Sequence, residues 1–232
     1  MKKSTHHHVR DTLRSNRLNT KKRFGQNYLL DDNILRRIIE TSELNSHQPI
    51  IEIGPGLGSL TRYLLEATDR VLAYEIDTDL TNVLNEMFED REGFKLRTKD
   101  FLKTHLDDDI KETFGPVKNV VVVANLPYYI TTPVIMKCLE NSDRLKRLVF
   151  MVQNEVAQRL SASPNTKAYN ALSVMIQYKT KTRYAFKVPR TVFMPAPEVD
   201  SAVVTMDIIP RNERPAEDED FFLDFVKRAF KQ

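Results

Sequence analysis

The chain has 232 residues, 41% hydrophobic and 29% charged, a balance that suits one large α/β core or two small domains of an ordinary globular protein. No run approaches the roughly eighteen apolar residues of a membrane helix, and the basic, polar N-terminus lacks the apolar stretch of a signal peptide, so a cytoplasmic location is expected. The net charge of +3 is unevenly spread: ten Lys and Arg against three Asp give residues 1–37 a charge of +7 and leave the remainder at −4.

Residues 1–30 therefore read as a basic arm. Such an arm can sit on phosphates and release counterions, or it can be a solvated tail. Lys22 and Arg23 are its candidate substrate contacts. His6-His7-His8 lies in a leader expected to be flexible, which is poorly suited to a defined metal site, and no metal is expected elsewhere. From Asp31-Asp32-Asn33 onward, Ile34, Leu35, Ile38 and Ile39 recur at helical spacing behind a capping residue. Strands are then predicted at 49–53, 70–76, 94–98, 118–124 and 147–153, alternating with helices at 59–67, 79–89, 107–113 and 133–140. Val120 to Val123 is a β-branched run without polar alternation, as a strand buried on both faces requires. The single cysteine, Cys138, falls in a predicted helix and reads as a small buried apolar residue. Residues 183–188 and 202–209 are two more strands with only a loop between them, predicted to pair antiparallel at one edge. A polar linker at 210–220 precedes a helix that places Phe221, Phe222, Phe225, Val226, Ala229 and Phe230 around one face. This order predicts an α/β, doubly wound, Rossmann-like fold, mostly parallel with an antiparallel edge pair. The expected division is arm at 1–30, main α/β domain at 31–210, and at 211–232 a linker with the first helix of a truncated further domain.

Ile51-Glu52-Ile53-Gly54-Pro55-Gly56-Leu57-Gly58 places three glycines where a strand becomes a helix. Backbone amides at such a turn, around Gly54 and Gly56, can approach a ligand closely, although plain tight turns use the same residues. Glu75, at the end of the next strand, can accept hydrogen bonds from ribose hydroxyls. The G-x-G-x-G spacing differs from the G-x-G-x-x-G of pyrophosphate binders, and Pro55 removes a donor, so the turn suits a nucleoside without a diphosphate, such as S-adenosylmethionine. Asp100, at the following strand end, can accept from an adenine amine, and the three strand ends converge as a ligand switch point should.

Asn125-Leu126-Pro127-Tyr128 follows the Val120 strand at the same sheet edge. The Asn125 side-chain oxygen and the Leu126 carbonyl can accept the two hydrogens of an amine on a planar ring, pulling its lone pair out of conjugation and towards a methyl donor. Pro127 fixes the carbonyl direction, and Tyr128 offers a face on which an extruded base can stack. Such a transfer needs no metal and no prior general base. Read alone, the tetrapeptide supports transfer to a ring amine and no more.

The segments Lys22-Arg23-Phe24-Gly25-Gln26-Asn27-Tyr28-Leu29, Ile51 to Gly58, Asn125 to Pro133 and Phe193-Met194-Pro195-Ala196-Pro197-Glu198-Val199-Asp200-Ser201-Ala202-Val203 occur together and in order. In this the chain, from about Lys21 onward, resembles the ribosomal RNA adenine dimethyltransferases, and among them the type that dimethylates two adjacent adenines near the 3′ end of small-subunit (16S) rRNA. The resemblance implies that Asn27, Leu29, Gly54, Glu75, Asp100 and Asn125 contact S-adenosylmethionine, and that Phe193 faces Tyr128 across the target base. It also implies action on rRNA within immature small subunits, by a monomer without membrane attachment. Asn170 stands where the family usually has glycine, which is expected to alter a turn near the substrate side. The family normally continues beyond residue 232 into a small helical domain, so weakened substrate binding is expected of this chain. The competing readings are a large-subunit adenine dimethyltransferase, a non-catalytic assembly or transcription factor on the same fold, and a nicotinamide-dependent oxidoreductase.

Overall fold

The computed structural model describes residues 4–16, 25–140 and 142–230. In chain order they form α1 (Thr5–Ser15), β1 (Tyr28–Leu29), α2 (Asp32–Ser42), β2 (Ile50–Ile53), α3 (Ser59–Ala67), β3 (Val71–Glu75), α4 (Thr78–Phe88), β4 (Phe94–Thr98), α5 (Leu106–Phe114), β5 (Val120–Asn125), α6 (Thr131–Glu140), β6 (Leu145–Gln153), α7 (Asn154–Leu160), α8 (Ala171–Lys179), β7 (Thr180–Val188), β8 (Phe193–Met194), β9 (Ser201–Ile208) and α9 (Glu219–Ala229).

The described residues build a seven-stranded sheet in the order β4-β3-β2-β5-β6-β9-β7. The first five strands are parallel, and β9 runs antiparallel to both β6 and β7. This is the expected doubly wound sheet with its antiparallel edge, β9 inserting between β6 and the edge strand β7. Residues of β2 and β5 are buried on both faces because α2, α3 and α4 cover one side and α5, α6, α7 and α8 the other. Chain order reverses between β2 and β5, so a crevice opens beyond their carboxyl ends. A separate two-stranded ribbon joins β1 to β8, pairing Leu29 with Phe193 and Tyr28 with Met194.

The leader departs from expectation. Its residues 5–15 are helical, with Val9 and Thr5 fully buried. Val9 packs with Tyr28, Leu57 and Leu80, which by area would stabilise docking by about 1.5–3 kcal/mol. Thr5 bonds Asp32 through its hydroxyl and amide, and Arg62 donates to the Thr5 hydroxyl at 2.7 Å. His6, His7 and His8 thus belong to a docked helix: the His8 ring donates to the Leu57 carbonyl at 3.2 Å, and among the described residues no His, Cys, Asp and Glu cluster could hold a metal ion. Arg10 and Arg14 face solvent. Lys22 and Arg23 lie outside the described residues.

Two helices, α7 and α8, stand where sequence periodicity indicated none. Asn170 begins α8: it is extended (φ −147°) and accepts from Ser173 N at 3.2 Å, while the Ser173 hydroxyl accepts from Asn170 N. No left-handed turn is needed there, and Asn170 serves as a helix cap at a position that does not line the crevice. The expected linker is tethered rather than free: the Arg214 side chain, 4% exposed, bonds Ile209 O and Glu219. Only part of the α9 apolar face docks. Val226 is buried and Phe222 packs on Tyr178, whereas Phe221 and Phe225 remain exposed.

Candidate active site

The carboxyl ends of β2, β3, β4 and β5 open into one cavity of about 370 Å³, within the range of small-molecule sites. All expected cofactor and acceptor residues among the described ones line it: Gly54, Gly56, Glu75 and Asp100 from the ends of β2, β3 and β4 form one group, and Asn125 to Tyr128 form a second with Asn27, bonded to Asn125, and with Leu29 and Phe193 of the β1–β8 ribbon.

On the first side the glycine turn carries the geometry. Gly54 (φ +68°) has open space where a Cβ would stand, so a ligand can approach its backbone. Gly56 is pinned, its N–H donating to Glu75 Oε2 at 3.1 Å and a Cβ there meeting the Tyr28 ring at 3.2 Å. Glu75 Oε1 accepts from Ile76 N and Asp77 N, both at 2.9 Å. Burial raises the Glu75 carboxyl above its ordinary range, and these amide bonds oppose the rise. Oε2, with one amide partner, retains capacity to accept from a ligand hydroxyl. Asp100 accepts from Leu102 N at 3.0 Å through Oδ1, which fixes the carboxylate at the cavity wall.

The second side is assembled from distant segments. Asn125 Nδ2 donates to the Asn27 carbonyl at 3.1 Å, leaving Oδ1 as the acceptor for a ligand. Leu126, 2% exposed, donates its N–H to Met151 O at 3.1 Å and so ties the tetrapeptide to β6. The Tyr128 hydroxyl shares a 2.8 Å hydrogen bond with Ser201 Oγ on β9. Phe193 is buried in the β1–β8 ribbon, and its ring lines the same cavity as Tyr128.

Several contributors escaped the sequence reading. Glu52, inside the apolar β2, is fully buried, accepts from Thr61 Oγ1 at 2.7 Å, and is pushed up to about 8 by desolvation. A lone charge in a strand with no solvent face was its signal. Gln26 donates to Asp77 at 3.0 Å, joining the arm to the loop after β3. Lys137 donates to Leu102 O and Thr104 O at 3.1 and 2.7 Å, holding the Asp100 loop to α6. Ile76 leaves an apolar side chain 47% exposed beside Glu75 at the cavity rim. Cys138 is buried and its thiol is raised far above its usual range by burial, consistent with packing.

The arrangement fits an adenosyl group. A backbone cradle at Gly54, carboxylates at Glu75 and Asp100, and an apolar flank at Ile76 match a nucleoside's shape, hydroxyls, amine and face. The Ser59 hydroxyl, buried in the lining without a partner among the described residues, has a hydrogen left to donate to such a group.

The model of the family described as ribosomal RNA adenine dimethylase matches residues 17–232. The chain belongs to this family of methyltransferases. Ribosomal RNA small subunit methyltransferase A of Streptococcus thermophilus is 47% identical over 213 residues, covering 90% of this chain and 72% of that protein. The protein of the same name from Lactococcus lactis is 47% identical over 225 residues, covering 96% and 76%. Among solved structures, a dimethyladenosine transferase from Plasmodium falciparum superposes with a TM-score of 0.75 at 27% identity, covering 88% of this chain and 70% of that one. The 23S rRNA methyltransferase ErmE gives 0.73 at 29% identity, covering 88% and 79%. These likenesses agree with the observed sheet, mostly parallel with an antiparallel pair. Among the described residues no helix is long and apolar enough to cross a membrane.

Proposed function

We propose that the chain transfers methyl groups from S-adenosylmethionine to the N6 amines of two adjacent adenines near the 3′ end of small-subunit rRNA, acting in the cytoplasm as a monomer on immature subunits. The observation that carries this reading is the Asn125 amide, locked by the Asn27 carbonyl at 3.1 Å in the same cavity as Glu75 and Asp100. The 47% identity to proteins named as small-subunit methyltransferases supports the choice of rRNA. Residues 31–210 serve as the catalytic domain, with the arm and the C-terminal segment assisting substrate binding.

S-adenosylmethionine supplies a methyl group on a positively charged sulfur, which leaves as a neutral thioether. Glu75 would hold the ribose hydroxyls and Asp100 the adenine amine, with Gly54, Gly56, Asn27 and Leu29 around the remainder. Asn125 Oδ1 and the Leu126 carbonyl accept the two hydrogens of the target amine and turn its lone pair out of the ring plane. Because Asn125 Nδ2 is already bonded, its acceptor atom is oriented before the substrate arrives, and little reorganisation accompanies the reaction. Neither acceptor needs to be a strong base, since the proton departs after the nitrogen has become positive. Tyr128, steadied by Ser201, and Phe193 bracket the base.

The test is transfer of labelled methyl groups to small subunits lacking these modifications, mapped by mass spectrometry. Two adjacent dimethyladenines are expected. Activity confined to large-subunit RNA, or subunit binding without transfer, would overturn the proposal in favour of a macrolide-resistance-type enzyme or a non-catalytic assembly factor respectively.

A further inference from the structure

Tyr129 is 62% exposed at the mouth of the cavity, immediately after the residue assigned to stack on the target base. It lies in a 3₁₀ turn, Tyr128–Ile130, opened by Pro127. With three residues per turn, successive side chains diverge by about 120°, so one tyrosine can enter the cavity while the next stands at its rim. Tyr128 turns toward the sheet, where its hydroxyl bonds Ser201 on β9. The Tyr129 ring stands over Gly25, where an added Cβ would lie 3.5 Å from its Cε1 and 3.4 Å from Pro127 Cβ. Gly25 has φ +59°, a conformation that favours glycine. A large aromatic ring thus stands beside Gly25 and Pro127 at the cavity wall, with most of its surface in water.

We propose that Tyr129 is a stacking platform for the nucleotide next to the target adenine in the RNA strand. This rests on the reading that an adenine enters between Tyr128 and Phe193. A strand whose base is drawn into the cavity must leave through the mouth, so its neighbouring base passes the Tyr129 ring. Stacking on an uncharged aromatic face tolerates any base, and suits a neighbour that is at different times an adenine and a dimethyladenine.

The experiment uses the full chain and an oligoribonucleotide of the target sequence, with 2-aminopurine placed immediately 5′ or 3′ of the target adenine, or several nucleotides away. Wild-type protein is expected to quench or shift the fluorescence at one adjacent position and not at the distant one. Tyr129→Ala should lose this signal and raise KM for RNA about 5- to 100-fold, with the effect falling on KM rather than kcat and the S-adenosylmethionine Kd staying as in the wild type. Tyr129→Phe should retain both signal and KM. The platform is overturned by wild-type KM and fluorescence in Tyr129→Ala, by an equal rise in cofactor Kd, or by Tyr129→Phe behaving like Tyr129→Ala. Should the wild type transfer no methyl to small subunits yet lose the adjacent signal on Tyr129→Ala, the dimethylation reading fails and the platform stands.

Discussion

The two halves of the cavity are built differently. On the cofactor side each polar group is held by backbone close to it in sequence: Glu75 by the amides of Ile76 and Asp77 and by Gly56 of the facing turn, and Asp100 by Leu102 N. On the acceptor side the supports come from far along the chain. Asn125 is held by Asn27, 98 residues away, and Tyr128 by Ser201, 73 residues away. The ends of β2, β3 and β4 supply the glycine turn and both carboxylates of the first half, to which the arm adds Asn27 and Leu29. The second half needs the β1–β8 ribbon and β9 to be in place, so the acceptor geometry depends on the complete fold while the cofactor cradle is largely local.

Substitutions should separate the halves. The largest effect is expected from Asn125→Ala, which removes an acceptor needed in the transition state: kcat should fall at least about 100-fold while circular dichroism and thermal unfolding stay near wild type. Turnover at the wild-type rate would remove Asn125 from its role. Asp100→Ala acts on the other half, and calorimetric titration should show S-adenosylmethionine Kd raised about 10- to 100-fold, the cost of one or two hydrogen bonds to a charged group. A weaker change is expected from Ser201→Ala. Freeing the Tyr128 ring should lower kcat/KM for RNA a few-fold, about 1 kcal/mol, without moving cofactor Kd, and a shift in Kd would show that the halves are not separable in this way.

A last prediction concerns Glu52. With its carboxyl held up to about 8 by burial, the folded chain keeps a proton between pH 4.5 and 8 that the unfolded chain loses. Its contribution to stability is therefore full below about pH 4.5 and is lost as pH rises through 8. Glu52→Gln should flatten the accompanying decline in unfolding temperature, and parallel curves for the two proteins would refute the assignment.

The same contrast explains what the sequence disclosed. The succession of strands and helices, the antiparallel edge, and the residues assigned to the cofactor, Gly54, Glu75 and Asp100, sit in local patterns that hydrophobic runs and strand ends reveal. Asn125 to Tyr128 was legible as a strand-end motif, but Asn27 beside Asn125 and Phe193 opposite Tyr128 follow only from the family resemblance, because nothing local links residues 98 or 65 positions apart. Ser201 was quoted within a motif without a role, since its hydroxyl acquires one only when β9 lies beside β6. The helix α1 was missed because Val9 and Leu13 are its only apolar residues, too few for a periodic signal, and its docking depends on the glycine turn it covers. The start of α8 is marked by a capping box of Asn170 and Ser173, a weak signal because serine stands where Glu or Gln is usual.

The central claim, that one cavity is divided between a nucleoside cofactor and an acceptor amine, is tested most directly by a crystal structure of this chain with S-adenosylmethionine. The account predicts ribose hydroxyls on Glu75, the adenine amine on Asp100, and the methyl group directed toward Asn125 and Tyr128. A cofactor seated with its methyl turned away from Asn125, or bound outside this cavity, would contradict it.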